Sequence, residues 1–130
     1  MTPELTALTA AVLLQALTLA LMAAVANREL GHRVTTGPRD GQVPKVSPLL
    51  GRLLRTVTNG FEGLAMFAPA VLVVALSGQS DGVTQAAAWV YVAARLLYVP
   101  AYAFGWVPWR SAIWGVGLAA TLALLISALI

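Results

Sequence analysis

Residues 55–76 read RTVTNGFEGLAMFAPAVLVVAL. From Phe61 onward this stretch is almost continuously apolar, yet its opening turns carry Arg55, Asn59 and Glu62. Three further apolar runs, Leu5 to Ala26, Thr84 to Phe104 and Ser111 to Ile130, join this one, which extends from Phe61 to Ser77. Each is close to the roughly 20 residues that a helix needs to cross a bilayer. The runs do not alternate polar and apolar residues as barrel strands do, so intrahelical hydrogen bonds are what satisfy their backbone groups. The expected fold is all-α: an integral membrane four-helix bundle in a single domain over residues 1–130, with helices over about 4–27, 48–77, 83–105 and 109–130.

Composition agrees. Of 130 residues, 59% are hydrophobic and 10% charged, far more apolar than the roughly one-quarter charged usage of soluble domains. The absence of cysteine excludes disulfides, thiolate metal sites and cysteine nucleophiles. One histidine, His32, cannot form a metal site by itself, so no metal is expected. The end of the first run, MAAVAN, imitates a signal-peptidase site, but the residues before the run hold Glu4 and no Lys or Arg, the run exceeds a usual signal-peptide apolar region and the basic residues come after it, which favours retention.

The basic residues set an orientation. Arg28, Arg33, Arg39, Lys45, Arg52 and Arg55 lie between the first two runs and Arg110 between the last two, whereas the loop SGQSDG has only Asp81. The positive-inside rule then places the first and third loops in the cytoplasm of a cell or inner membrane, with both termini outside. Anionic lipid headgroups are the default partners of this charge, and nothing interleaves bases with aromatics as a nucleic-acid surface does. Residues 35–48, TTGPRDGQVPKVSP, read as an exposed loop, and Ser47 with Pro48 reads as a helix cap and first turn. Pro69 and Pro100 fall inside helices and are expected to bend them. Gly115 and Gly117 suit close helix packing, and the four tryptophans suit the interface belt.

At about 100° per residue, Arg52, Arg55, Asn59 and Glu62 fall within an arc of about 80°, and Tyr91, Arg95, Tyr98 and Tyr102 within about 60°. Each set is a polar stripe on one helix face. Arg95 lies about 15 Å from the cytoplasmic end of its helix, where an unpaired guanidinium costs roughly 3 kcal/mol or more. Glu62 is at similar depth, so an intramembrane Glu62–Arg95 ion pair that fixes helix register is one reading, and direct contact with a ligand is the other. Arg52 and Arg55 read either as anchors for lipid phosphate or, with Asn59 and the tyrosines, as a site for a small anionic ligand with a hydrogen-bonding backbone.

Arg55, Asn59 and Glu62 form R-x3-N-x2-E at the start of the second of four short membrane helices. This pattern resembles the MAPEG family, the membrane-associated proteins in eicosanoid and glutathione metabolism. VLLQA in the first run and ARLLYVPAY in the third are similar to leukotriene-forming glutathione synthases of that family, and PWRS before the fourth to its membrane prostaglandin-E synthases. Microsomal glutathione transferases belong to the same group. The resemblance implies a homotrimer with glutathione between subunits, open to the cytosol, and a lipophilic electrophile entering from the bilayer between the first and fourth helices. Matched by position, Arg52, Arg55, Asn59, Glu62, Tyr98, Tyr102 and Ser111 would bind glutathione, and Arg110 would face its thiol. Thr58 stands where prostaglandin synthases have a second arginine and Gly63 where the leukotriene synthase has tyrosine, so lipid specificity does not carry over.

A fixed guanidinium near sulfur gives such a site its chemistry, because the thiolate is the attacking species and a neighbouring positive charge favours it. A transferase or peroxidase acting on lipophilic electrophiles, as in detoxification, is the function expected. A non-catalytic lipid- or thiol-binding scaffold on the same helices is the alternative, and a related thiol could replace glutathione. A transporter would need a continuous polar path, which the first and fourth runs do not supply.

Overall fold

A computed structural model of the chain describes residues 1–35, 37, 45–106 and 108–130. Their secondary structure is helical throughout: α1 (Pro3–Leu30), α2 (His32–Thr35), α3 (Pro48–Leu76), α4 (Gly82–Ala103) and α5 (Trp109–Leu129). All but the single-turn α2 are long and apolar enough to span a membrane, which fits a four-helix membrane bundle.

Local chemistry sets most of the ends. Thr2 accepts from the Leu5 N–H and precedes Pro3, while Ser47 accepts from the Leu50 N–H and precedes Pro48. In both, a hydroxyl takes one of the donors left free in the first turn and proline stands where no donor is needed. Asp81 and Thr84 form a reciprocal capping box at the start of α4. Helix α1 runs through Asn27, Arg28 and Glu29 and stops at Gly31, whose φ of +82° suits a residue without Cβ. It therefore outlasts the apolar run by four residues, since polar side chains end a hydrophobic segment without ending a helix. At the other extreme, α4 ends at Ala103 because Phe104 and Gly105, with φ +69°, turn the chain back, and the Trp106 N–H closes on Ala101 O at 2.7 Å. Pro69 and Pro100 are carried inside α3 and α4.

Helices α3 and α4 form the central pair. Helix α5 packs on both from one side and α1 on both from the other, with no direct packing of α1 on α5. The core is built largely from alanine and valine, with Ala7, Ala11, Ala70, Val71, Val74, Ala87, Ala88 and Ala120 around Phe67, Tyr91 and Leu124. Small residues let helix backbones approach where lipid supplies no hydrophobic drive toward the neighbour. Gly117 serves this purpose, facing Ala94 and Tyr91, whereas Gly115 faces open space within the chain. Gly60 is the tightest point: the Gln15 amide of α1 lies across it so closely that a Cβ would collide, and Gln15 Nε2 donates to Val57 O at 2.9 Å.

Where α1 begins, a second polar contact joins three elements. Glu4 is fully buried and accepts from Ser80 Oγ at 2.8 and 3.0 Å and from Thr84 Oγ1 at 2.5 Å. The carboxylate thus ties the first turn of α1 to the α3–α4 loop and to the start of α4. Hydrogen bonds to a charged acceptor are worth about 1.5–3 kcal/mol each, so Glu4→Ala is expected to destabilise the bundle by about 2 kcal/mol and Glu4→Gln by less. Thermal unfolding in detergent micelles checks this, and unchanged melting of Glu4→Ala would remove Glu4 from the fold's supports.

Candidate functional site

The two polar stripes face one another because α3 and α4 run antiparallel. Residues early in α3 meet residues late in α4, and each step of three or four residues along one helix is matched by a similar step back along the other. Arg52 Nη1 lies 3.5 Å from Ala103 O, Arg55 Nε donates to Tyr102 Oη at 2.9 Å, and Arg95 Nη1 donates to Asn59 Oδ1 at 2.6 Å. Deeper still, Gly63 lies against the Tyr91 hydroxyl and Phe67 stacks on the Tyr91 ring, with centroids 3.8 Å apart.

The Asn59 contact revises the expected partner of Arg95. Within the chain, the buried guanidinium is held by the Asn59 carbonyl and by the face of Tyr98, 4.4 Å below it, and not by Glu62. Asn59 comes first because it lies three residues, nearly one turn, closer to the start of α3, level with Arg95 in the antiparallel register. Glu62 is exposed on the border of a cavity that Asn59, Arg95 and Tyr98 also line. A charge-assisted bond and a cation–π contact together stabilise the cation without a formal counter-charge.

Nearer the end of the bundle where α3 begins, Tyr102 brings together two arginines. The Arg55 guanidinium lies 5.9 Å and the Arg110 guanidinium 4.9 Å from its ring centroid. Arg110 comes from the first turn of α5, directly after the reversal through Gly105, so the α4–α5 connection sets its position. Arg55 is exposed and Arg110 half-buried. Among the described residues, none of Arg52, Arg55, Arg95 and Arg110 is paired with a carboxylate. Such a cluster raises the local potential for an anion and offers planar donors to it.

Two other residues expected at the ligand are placed differently within the chain. Arg52 packs over Gly105, 3.4 Å from where a Cβ would stand, and points at the carbonyl end of α4, where a cation complements the helix dipole. Ser111 is exposed, and its hydroxyl makes no hydrogen bond among the described residues. Conversely, Gln15 went unassigned in the sequence although a lone amide in an apolar run is itself a signal. Its side chain packs across Gly60, immediately after Asn59, and with Arg95 and Tyr91 it borders a small cavity behind the site.

The ordered set Arg55, Asn59, Arg95, Tyr98, Tyr102 and Arg110 therefore lies along one face between α3, α4 and the start of α5. The sequence profile of the MAPEG family matches residues 7–130. The chain belongs to the MAPEG family. This match covers α1 from Ala7 onward, the whole of α3, α4 and α5, and every residue of the site. No individual curated protein and no solved structure matches the chain.

For this MAPEG protein, the Arg95–Asn59 bond predicts a definite mutational pattern. Asn59→Leu strands a buried cation and is expected to cost about 2–3 kcal/mol. Arg95→Leu removes the charge itself and is expected to cost less, and the double variant is expected to fall short of the sum by about 0.5–3 kcal/mol. Glu62→Gln is expected to stay within about 0.5 kcal/mol of wild type. Unfolding in mild detergent measures all four, and a large loss for Glu62→Gln would restore an ion pair, contributed across a subunit boundary.

Proposed function

We propose that the protein is a homotrimeric membrane enzyme that binds glutathione, or a related small thiol, and joins it to a lipid-soluble electrophile or uses it to reduce one. The observation carrying this reading is the convergence of Arg55 and Arg110 on Tyr102 without a carboxylate partner among the described residues. Family membership over residues 7–130 supports the thiol as the ligand.

In this reading Arg55 and Asn59 hold the peptide part of the thiol, Tyr98 and Tyr102 line it, and Arg110 faces sulfur. The thiol gives its proton to water at the mouth of the site, and the guanidinium favours the thiolate that remains. In a transferase, sulfur attacks an electrophilic carbon, a C–S bond forms, and the electron pair leaves with the departing group or moves onto a conjugated oxygen that water protonates. In a peroxidase, sulfur attacks the O–O bond, releasing an alcohol. A second thiol then displaces water from the sulfenic acid to give the disulfide. The six basic residues from Arg28 to Arg55 favour a mouth open to the cytoplasm, while the electrophile arrives through the bilayer. A trimer supplies the remaining walls, since polar side chains on one four-helix subunit cannot surround a tripeptide.

Binding and activation separate on mutation. Arg55→Ala is expected to raise KM for the thiol, since it removes a ground-state contact. Arg110→Ala is expected to retain much of the binding and to lose turnover at neutral pH by on the order of 10²-fold, with recovery in alkali, because it removes a preorganised charge facing sulfur. Thiolate absorbance of bound glutathione against pH, together with turnover on a generic electrophile, is the measurement. Unchanged titration and turnover in Arg110→Ala would leave the non-catalytic binding scaffold as the better reading. Mass in mild detergent is expected to correspond to three chains, and a monomer that binds thiol fully would overturn the assembly.

A further inference from the structure

The turn that carries Arg110 into place has a residue of α3 lying against it. Arg52 is half-buried near the start of α3, and its guanidinium carbon stands 3.4 Å, its two terminal nitrogens 3.5 and 3.6 Å, from where a Cβ on Gly105 would be. Three distances so nearly equal mean that the flat face of the guanidinium, and not its edge, covers the glycine. The edge is used elsewhere, with Nη1 donating to Ala103 O, 3.5 Å away at the end of α4. Such a plate fits because Gly105, with φ +69°, has no side chain to displace it.

Arg110 hangs on this turn by backbone bonds in series. Its N–H donates to Trp106 O at 3.0 Å, and the Trp106 N–H donates to Ala101 O at 2.7 Å. Local support is thin on both sides. Pro100 removes one backbone bond from the last turns of α4. Of the four spanning helices, α5 alone starts without a side-chain cap among the described residues, so its first turn lacks the hold that Ser47 and Asp81 give to α3 and α4. Yet this junction holds the Arg110 guanidinium 4.9 Å from the Tyr102 ring centroid. The contact from outside the junction is Arg52, whose charge also complements the carbonyl end of α4.

We propose that Arg52 is a positioning residue for Arg110: lying flat on Gly105 and donating to Ala103 O, it fixes the α4–α5 turn and through it the place of the Arg110 guanidinium beside Tyr102. The proposal rests on Arg110 as the charge that faces sulfur, and it gives Arg52 a task other than touching the ligand. Arginine suits this task because a planar group packs by its face and donates by its edge at once, which an ammonium cannot do.

Arg52→Gln tests this without thiol and with it. Without thiol, in detergent, amide hydrogen exchange at Trp106 and Arg110 is expected to quicken by about threefold to tenfold, the range of one ordinary hydrogen bond, while exchange in the middle of α5 stays as in wild type. With glutathione and a generic electrophile, turnover at neutral pH is expected to fall by about tenfold, inside the roughly 10²-fold that a displacement of about 1 Å can cost. The thiolate titration is expected to move toward alkali, with KM for the thiol within about twofold of wild type. In an Arg110→Ala background, Arg52→Gln is expected to change turnover by less than about twofold, since two residues acting through one guanidinium are not additive. Arg52→Lys keeps the charge but has no flat face; it is expected to show the same changes to a smaller extent and serves if Arg52→Gln does not fold.

Unchanged exchange at Trp106 and Arg110 would overturn the proposal whatever the thiol results. A rise in KM with an unmoved titration would make Arg52 a ligand contact, and a further full loss of turnover in the Arg110→Ala background would make it act by its own charge; both overturn it. Quicker exchange together with an unchanged titration in Arg110→Ala itself would overturn it from the other side, by removing the role of Arg110 on which it rests, and so separates a failure of the proposed function from a failure of the positioning.

Discussion

A guanidinium inside a membrane helix must find an acceptor, and the bond from Arg95 to Asn59 is the constraint on which the arrangement of the bundle rests. Once these two residues are level, the antiparallel geometry leaves little choice for the others. Arg55 falls beside Tyr102 and Gly63 beside Tyr91. Slipping α3 against α4 by one turn would carry Asn59 about 5.4 Å from the cation, leaving a buried charge without its acceptor in a medium that offers no replacement. Apolar packing of alanine and valine tolerates several registers, whereas a directional bond to a buried cation tolerates one.

Side chains without bulk make the polar contacts possible. Gln15 reaches Val57 O only because Gly60 has no Cβ, and the Tyr91 phenol occupies space that any larger residue at position 63 would claim. The interior thus alternates between places where backbones nearly touch and places where one polar group enters the gap. Glu4 does the corresponding task at the other end, where the hydroxyls of Ser80 and Thr84 converge on a carboxylate with no exposure. The two ends of the bundle are therefore held by different chemistry. Near the start of α1 a carboxylate gathers hydroxyl donors, and near the start of α3 arginines gather carbonyls and phenol rings.

That asymmetry bears on function. The carboxylate end is closed on itself, its acceptors satisfied by its own neighbours. At the arginine end, Arg55 and Arg110 share one phenol, which leaves much of their capacity as donors for a ligand. An anionic group is accordingly better received there than anywhere along the lipid-facing surfaces, and α5 contributes to the site through the position of its first turn.

The four membrane helices, the caps at Ser47 and Asp81 and the polar face of each central helix follow from residues near in sequence, because hydrophobic run length, capping and helical period are local properties. Arg55, Asn59, Tyr98, Tyr102 and Arg110 were legible as residues of two polar faces for the same reason, and as candidate site residues through a family pattern whose spacing survives in the chain. Partner choice was not legible. Arg95 could have met Glu62 or Asn59, three residues apart on one face, and only the depth at which α3 lies against α4 decides between them. Arg52 shared a stripe with Arg55, but the fold turns it toward the carbonyl end of α4; Gln15, Glu4 and Tyr91 acquired their surroundings from helices far away in sequence. Helical period assigns a side chain to a face, but the length and angle of a hydrogen bond depend on where two helices cross, and that is set by all the packed surfaces together.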